Sequence, residues 1–420
     1  LTLIQWRPDL LERLRALPAA GALVAALPAG DAEVDPVHLV GGAVRDLLRG
    51  EEPVDLDLVV EGEVAKLARR IAERVGGTVR VHERFGTATV ATGGSLFDLA
   101  RARGERYEQP GALPDVWPAP LAEDLRRRDF SVHALALSLG GTEPGRLQVV
   151  PQALEDMEAR ELRVLHEQSF RDDPTRLLRL ARYAARLDFD IEERTAELAA
   201  AAVREGALAT VSGPRSGREL RLVAHEPDPV AAFTRLGELG ILPALHPQLG
   251  FDPGLAARAL ALLPEDGRRE AVVIAAACRE VRSFEVAELL TRLGFEREES
   301  RAARVLRAEL EPLAVRLARA ARPSEIDTRL AGRSPAEAAL VGALGASAAA
   351  ARWLDELRHV RLEIDGDDLR RAGAPEGPAL GAGLARARAG RLDGELAGRE
   401  AELAAALAEA RRAATARRVP

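Results

Sequence analysis

The chain has 420 residues, 47% hydrophobic and 30% charged, which is enough for a large core and more than one domain. Its net charge of −7 argues against a protein that coats nucleic acid non-specifically, while allowing a local basic groove. A single cysteine, Cys278, excludes disulfides and a cysteine-based zinc site. No stretch approaches the roughly 18 consecutive apolar residues of a membrane span and no signal pattern opens the sequence, so a soluble, cytoplasmic protein without a membrane partner is expected.

Between about residues 36 and 150, short apolar runs alternate with helix-like segments. Residues 37–40 read as a strand and residues 43–48 as a helix, joined by Gly41-Gly42. Backbone amides at such a turn can approach a triphosphate with no Cβ in the way, and Arg45, one turn into the helix, adds a charged clamp. Two glycines are otherwise an ordinary turn. The absence of lysine here counts against a P-loop.

Residues 54–60 read as the next strand, carrying Asp55 and Asp57. Residues two apart on a strand share a face, so both carboxylates can hold hard cations. A lone Asp-x-Asp is common in solvated turns. Here, however, Leu56, Leu58, Val59 and Val60 surround the pair, and acids in such a strand repel each other and are costly to desolvate without a compensating cation or donor. The pattern points to metal-assisted nucleotidyl transfer.

A helix over 63–75 follows, then strands over 78–81, 87–91 and 95–100, with Gly76-Gly77 and Gly93-Gly94 as turns. Asp98, in the last of these strands, supplies a third carboxylate or pairs with Arg101 or Arg103, and both readings stand. Arg126, Arg127 and Arg128 precede an apolar run over 132–139 that reads as a strand. Such runs are usually solvated. Asp129, next to them, could accept from a ribose 2′-hydroxyl while Arg128 holds phosphate. Together these elements make a mixed α/β head with one small sheet.

Beyond residue 152 strand signals nearly vanish, and long helical segments run to the C-terminus without a fixed-period repeat. Cys278 falls in one of them as a buried helix residue. Phe170-Arg171-Asp172-Asp173-Pro174-Thr175-Arg176-Leu177-Leu178-Arg179 begins a helix, with Asp173 as N-cap and Pro174 in the first turn. Capping explains Asp173 but leaves Arg176, Arg179 and Arg182 unexplained. An acid with an arginine one turn away can accept from the amino group of C or A and donate to the neighbouring ring acceptor.

The quoted segments resemble the class II tRNA nucleotidyltransferase and poly(A) polymerase family. The resemblance rests on Gly41-Gly42-Ala43-Val44-Arg45-Asp46, on Asp55-Leu56-Asp57, on Arg127-Arg128-Asp129-Phe130-Ser131-Val132-His133-Ala134 and on Asp172-Asp173-Pro174-Thr175-Arg176. It implies an α+β fold with a polymerase beta-like head over 1–150, a helical neck over 151–215, a body over 216–330 and a tRNA-binding tail over 331–420. It further implies template-independent CCA addition to tRNA from CTP and ATP by a two-metal mechanism, with A addition and poly(A) synthesis as alternatives.

By the same resemblance Asp55 and Asp57 hold Mg2+, with Asp98 as a possible third acid. Gly41, Gly42 and Arg45 hold the triphosphate, and Arg128 with Asp129 the ribose. Asp173 and Arg176 read the base, supported by Asp172, Arg179 and Arg182, while body and tail grip the acceptor and TΨC arms. Two departures stand out: His133 replaces the family's usual Asn, and Asp172 its more frequent Glu. His225-Glu226 and His246-Pro247 form no His-Asp pair, so no phosphohydrolase domain is expected.

Overall fold

The computed structural model describes residues 2–27, 35–53, 55–82, 86–92, 95–140 and 142–416. It divides into two compact units, Leu1–Glu219 with Glu238–Ala244, and Leu220–Gly237 with Leu245–Pro420. The class is α+β: a mixed sheet in the N-terminal part and helices after it.

The first unit opens with β1 (Leu3–Trp6), α1 (Pro8–Ala16), α2 (Pro18–Ala26), β2 (Val37–Val40), α3 (Gly42–Arg49), β3 (Leu56–Val60) and α4 (Val64–Val75). Then come β4 (Thr78–His82), β5 (Thr87–Thr92), β6 (Ser95–Arg101), β7 (Arg103–Arg106), β8 (Asp115–Pro118), α5 (Leu121–Arg126), β9 (Leu135–Ser138) and β10 (Arg146–Val149). Eight strands form one sheet in the order β1-β10-β9-β2-β3-β6-β5-β4, while β7 and β8 make a separate hairpin. β3 and β6 pair in parallel with Asp57 opposite Asp98, and β2 lies antiparallel to β3 and β9.

Patterning explains these elements. In α4 the apolar residues Val64, Leu67, Ala68, Ile71 and Ala72 form one buried stripe, and Gly76 ends the helix in the left-handed region. Against that stripe pack the inward residues of the sheet, among them Leu58, Val60, Val90 and Leu99, within a core reaching Leu10 and Leu147.

The segment expected as a strand over 132–139 is a strand only from Leu135. Ser131–His133 form a 3-10 turn instead: Ser131 N–H donates to the Arg163 carbonyl and its hydroxyl to Asp156, tying this stretch to a neighbour outside the sheet. The strand expected over 54–60 is seen from Leu56; Val54, like the expected Gly93-Gly94 turn, lies outside the described residues. Strand is also not wholly lost beyond residue 152, since β11 (Glu161–Leu162) and β12 (Asp190–Ile191) make a short parallel pair. Around them lie α6 (Ala153–Ala159), α7 (Ser169–Asp172), α8 (Thr175–Leu187) and α9 (Glu193–Arg204).

Among its described residues the second unit has helices joined by turns and irregular connections, and no strand. Cys278, at the end of the helix Arg269–Ala277, is buried, and burial pushes its thiol up to about 12, which leaves it inert. Near the C-terminus the helices Pro378–Leu392 and Gly398–Ala416 pack on small residues. A Cβ at Gly383 would lie 2.6 Å from the Ala406 carbonyl oxygen, so only glycine permits this approach. Among the described residues no helix is long and apolar enough to cross a membrane.

Candidate active site

A cavity of about 480 Å³ opens in the first unit where β2 runs into α3. Gly41 makes that turn with φ +67° and ψ −130°, a conformation that side-chain-bearing residues avoid. A Cβ there would also lie 3.0 Å from Arg128 Nη1. Gly42 begins the helix, so its first amides face the cavity end of the turn without an intrahelical acceptor. Arg45 is buried beneath the turn, donating from Nε and Nη2 to Asp46 Oδ1 at 2.9 and 2.6 Å, and from Nη1 to His133 at 2.7 Å.

Asp55 and Asp57 also line the cavity. Leu56, Leu58, Val59 and Val60 are buried while the two acids are open, so β3 leaves the core at its N-terminal end and presents them there. Desolvation pushes the Asp57 carboxyl above its ordinary value against the pull of Arg128, and Asp98 and Asp55 add like charge. The donor set is all oxygen and suits a hard divalent ion. Among the described residues no group of three or more His, Cys, Asp or Glu is arranged to hold a metal, so the fit rests on this pair, with other positions left to phosphate and water.

The opposite wall is built by paired arginines. Asp124 is buried on α5; although burial raises its carboxyl, Arg128 and Arg127 hold it below its ordinary value. Arg127 donates to Asp124 at 2.6 Å and Arg128 at 3.0 Å, which aims both guanidinium groups toward the cavity. Glu105, on the β7–β8 hairpin, accepts from Tyr107 at 2.9 Å, Arg127 at 3.3 Å and Arg176 at 3.4 Å. Arg176 is itself buried and donates to Ser169 Oγ and the Arg127 carbonyl, each at 2.7 Å. The N-cap position of α8 is Pro174 and not the expected Asp173, but Asp173 Oδ1, just ahead of it, accepts from the Thr175 N–H and hydroxyl, and from Arg215 at 2.9 Å.

Asp129 is enclosed and its two oxygens are engaged. Oδ2 accepts from Arg179 Nε and Nη2 at 2.8 and 2.6 Å; Oδ1 accepts from the Phe130 N–H and faces His133 Nδ1 at 2.9 Å. Burial alone would raise this carboxyl, but Arg179 and His133 hold it well below its ordinary value. Both oxygens expected to accept from a ribose hydroxyl are thus already engaged, and Asp129 orients Arg179 and His133 in this conformation.

Of the residues expected from the sequence, Gly41, Gly42, Arg45, Asp55, Asp57, Arg128, Asp129, Asp173, Arg176 and Arg179 line the one cavity. Asp98, Asp172 and Arg182 do not. Asp98 is beside Asp57 in register but accepts from the Thr89 hydroxyl at 2.6 Å, while Arg101 pairs with Glu63, so the expected arginine partner is absent. Asp172 lies 3.9 Å from His166, and Arg182 turns toward Glu219 and the Tyr183 ring. Sequence reasoning missed Tyr183, Arg186 and Arg215 as lining residues. Arg103, Glu105, Tyr107 and Pro114, which also line the cavity, belong to the 101–114 segment on which the sequence places the choice between C and A.

Residues 37–163 match the poly A polymerase head domain. An A-adding tRNA nucleotidyltransferase of Halalkalibacterium halodurans is 43% identical over 212 residues, half of each chain. One of Geobacter sulfurreducens is 35% identical over 396 residues, covering 89% of this chain and 45% of that protein. A CC-adding tRNA nucleotidyltransferase of Deinococcus radiodurans is 43% identical over 211 residues, 49% of this chain and 55% of that one. The chain thus spans about half the length of these curated relatives. Among solved structures, a CCA-adding enzyme in an apo form superposes with TM-score 0.82 at 28% identity, covering 97% of this chain and 99% of that one. The Thermotoga maritima CCA-adding enzyme complexed with tRNA gives 0.76 at 27%, with the same coverage.

Proposed function

We propose that this chain, whose residues 37–163 match the poly A polymerase head domain, is a tRNA nucleotidyltransferase that transfers nucleotides from CTP and ATP to the 3′ end of tRNA, completing CCA and releasing pyrophosphate. The observation that carries this reading is the cavity itself, in which a glycine turn at a helix start, two open carboxylates and a wall of arginines share one space.

In this reading the Gly41-Gly42 amides and Arg45 hold the triphosphate at the start of α3. Arg128, fixed by Asp124 and lying beside Gly41, neutralises charge on the phosphate and sugar side. Asp55 and Asp57 would hold divalent ions, assigned as two Mg2+, which would supply Lewis-acid stabilisation of the phosphoryl oxygens and lower the pKa of the attacking 3′-hydroxyl. Asp173 and Arg176 present an acceptor and donors to the base edge, and Glu105, Arg127 and Arg215 hold that pair in place. The helical residues beyond about 216 grip the acceptor and TΨC arms by shape and phosphate contacts.

A second reading, addition of A alone, is favoured by the names of the relatives that are 43% and 35% identical. The test is extension of a tRNA lacking its 3′ end, with magnesium and each nucleotide supplied separately. CCA addition requires both CTP and ATP to be incorporated in order. Incorporation of ATP alone, and only onto tRNA ending in CC, selects A addition. Extension of arbitrary RNA selects poly(A) synthesis, and magnesium-independent nucleotide binding without extension indicates a non-catalytic RNA-binding protein.

A further inference from the structure

His133 is the residue at which this sequence departs from the family pattern inside the cavity, and its surroundings determine its protonation. Nε2 lies 2.7 Å from Arg45 Nη1 and Nδ1 lies 2.9 Å from Asp129 Oδ1. A guanidinium has only donors, so Nε2 must offer a lone pair; Nδ1 then carries the proton and donates to the carboxylate. The ring is buried and packs edge-on at 4.3 Å from Tyr183 and 6.0 Å from Phe130, which fixes its plane. Through it a buried chain of contacts runs from Arg45 under the phosphate turn, through His133 and Asp129, to Arg179 on the base side.

We propose that neutral His133 is a positioning residue for the incoming nucleoside triphosphate: as an acceptor it holds Arg45 under the Gly41-Gly42 turn, and on protonation it releases Arg45 and weakens triphosphate binding. The proposal rests on the nucleotidyltransferase reading. The charged and titratable groups that act on the ring are Arg45 from α3, Asp129 from the preceding segment, and Arg179 and Tyr183 from α8; Asp46 reaches it only through Arg45, and Arg128 bonds the His133 carbonyl. Asp129 favours a second ring proton. Burial comes first among the effects and opposes it, joined by Arg45 and Arg179, so the neutral form persists below the ordinary imidazole range. A protonated ring would aim a donor at the Arg45 donor, and that contact cannot survive.

Two measurements on the full chain test this. The KM for ATP in tRNA extension, compared between about pH 8 and about pH 5, rises in the wild type by about two- to threefold more than in His133→Asn, since the amide accepts from Arg45 without titrating and burial delays protonation of the ring. Protonation of the nucleotide's terminal phosphate and of the carboxylates is common to both proteins. Equal pH dependence in the two overturns the proposal, as does a wild-type KM that stays flat. Independently, the ring-nitrogen chemical shifts of His133 at neutral pH give the Nδ1–H tautomer; an Nε2–H tautomer or a doubly protonated ring overturns it even without activity. Failure of the wild type to extend any tRNA at pH 8 would refute the nucleotidyltransferase reading and leave the tautomer result to stand or fall alone.

Discussion

Asp129 shows how much of this site depends on charges that never reach the solvent. Asp129→Asn leaves Arg179 without its bidentate partner, and removal of one member of such a buried pair costs about 3 kcal/mol, measurable by denaturant unfolding. The pH dependence follows from the depressed carboxyl. Its contribution is fully present above its unfolded value near about pH 4 and is lost as pH falls through the lower folded value, so the stability gap between wild type and variant stays constant down to about pH 4 and narrows below it. Glu105→Gln removes the anion between Arg127 and Arg176, and the proposed base-reading role of Arg176 predicts that kcat/KM for UTP and GTP relative to ATP rises about tenfold as that side chain loosens. At this scale Asp55 and Asp57 were legible because acids in an apolar run demand an explanation. Arg215 was not, because its approach to Asp173 spans 42 residues and nothing local announces it.

The elements were legible wherever burial imposed a period. Val37–Val40 and the α4 stripe follow directly from the apolar pattern, whereas β1 was invisible because Leu3, Ile4 and Trp6 are all exposed on an edge strand paired only to β10. Residues 132–139 are apolar except for His133 and Ser138, and the turn that delays the strand to Leu135 is set by the bonds from Ser131 to Arg163 and Asp156, which no local pattern encodes. Two glycines test the element geometry. Gly41→Ala forces a side chain into a positive-φ turn against Arg128, costing about 1–3 kcal/mol in thermal or chemical melts and raising KM for the nucleotide. At Gly104 a Cβ would fall 2.5 Å from Trp117 Cε2, across the β7–β8 pair. Gly104→Ala is therefore expected to shift the hairpin and, through Glu105, mimic the loosened selectivity of Glu105→Gln.

For the whole molecule, the α/β-then-helical organisation could be read from the disappearance of strand periodicity near residue 152, but the close packing of the last two helices rests on small residues whose spacing carries little hydrophobic signal. A net charge of −7 means that any grip on tRNA comes from local arginine surfaces. tRNA affinity is therefore expected to fall by about 100-fold between roughly 50 and 200 mM salt in a filter-binding titration. The central claim is that Asp55 and Asp57, facing the Gly41-Gly42 turn, make this chain a nucleotidyltransferase. Extension of tRNA lacking its 3′ end, with CTP, ATP and magnesium, tests it most directly. The wild type should lengthen the tRNA and Asp55→Ala should not; a wild type that incorporates neither nucleotide, or a variant with full activity, would contradict it.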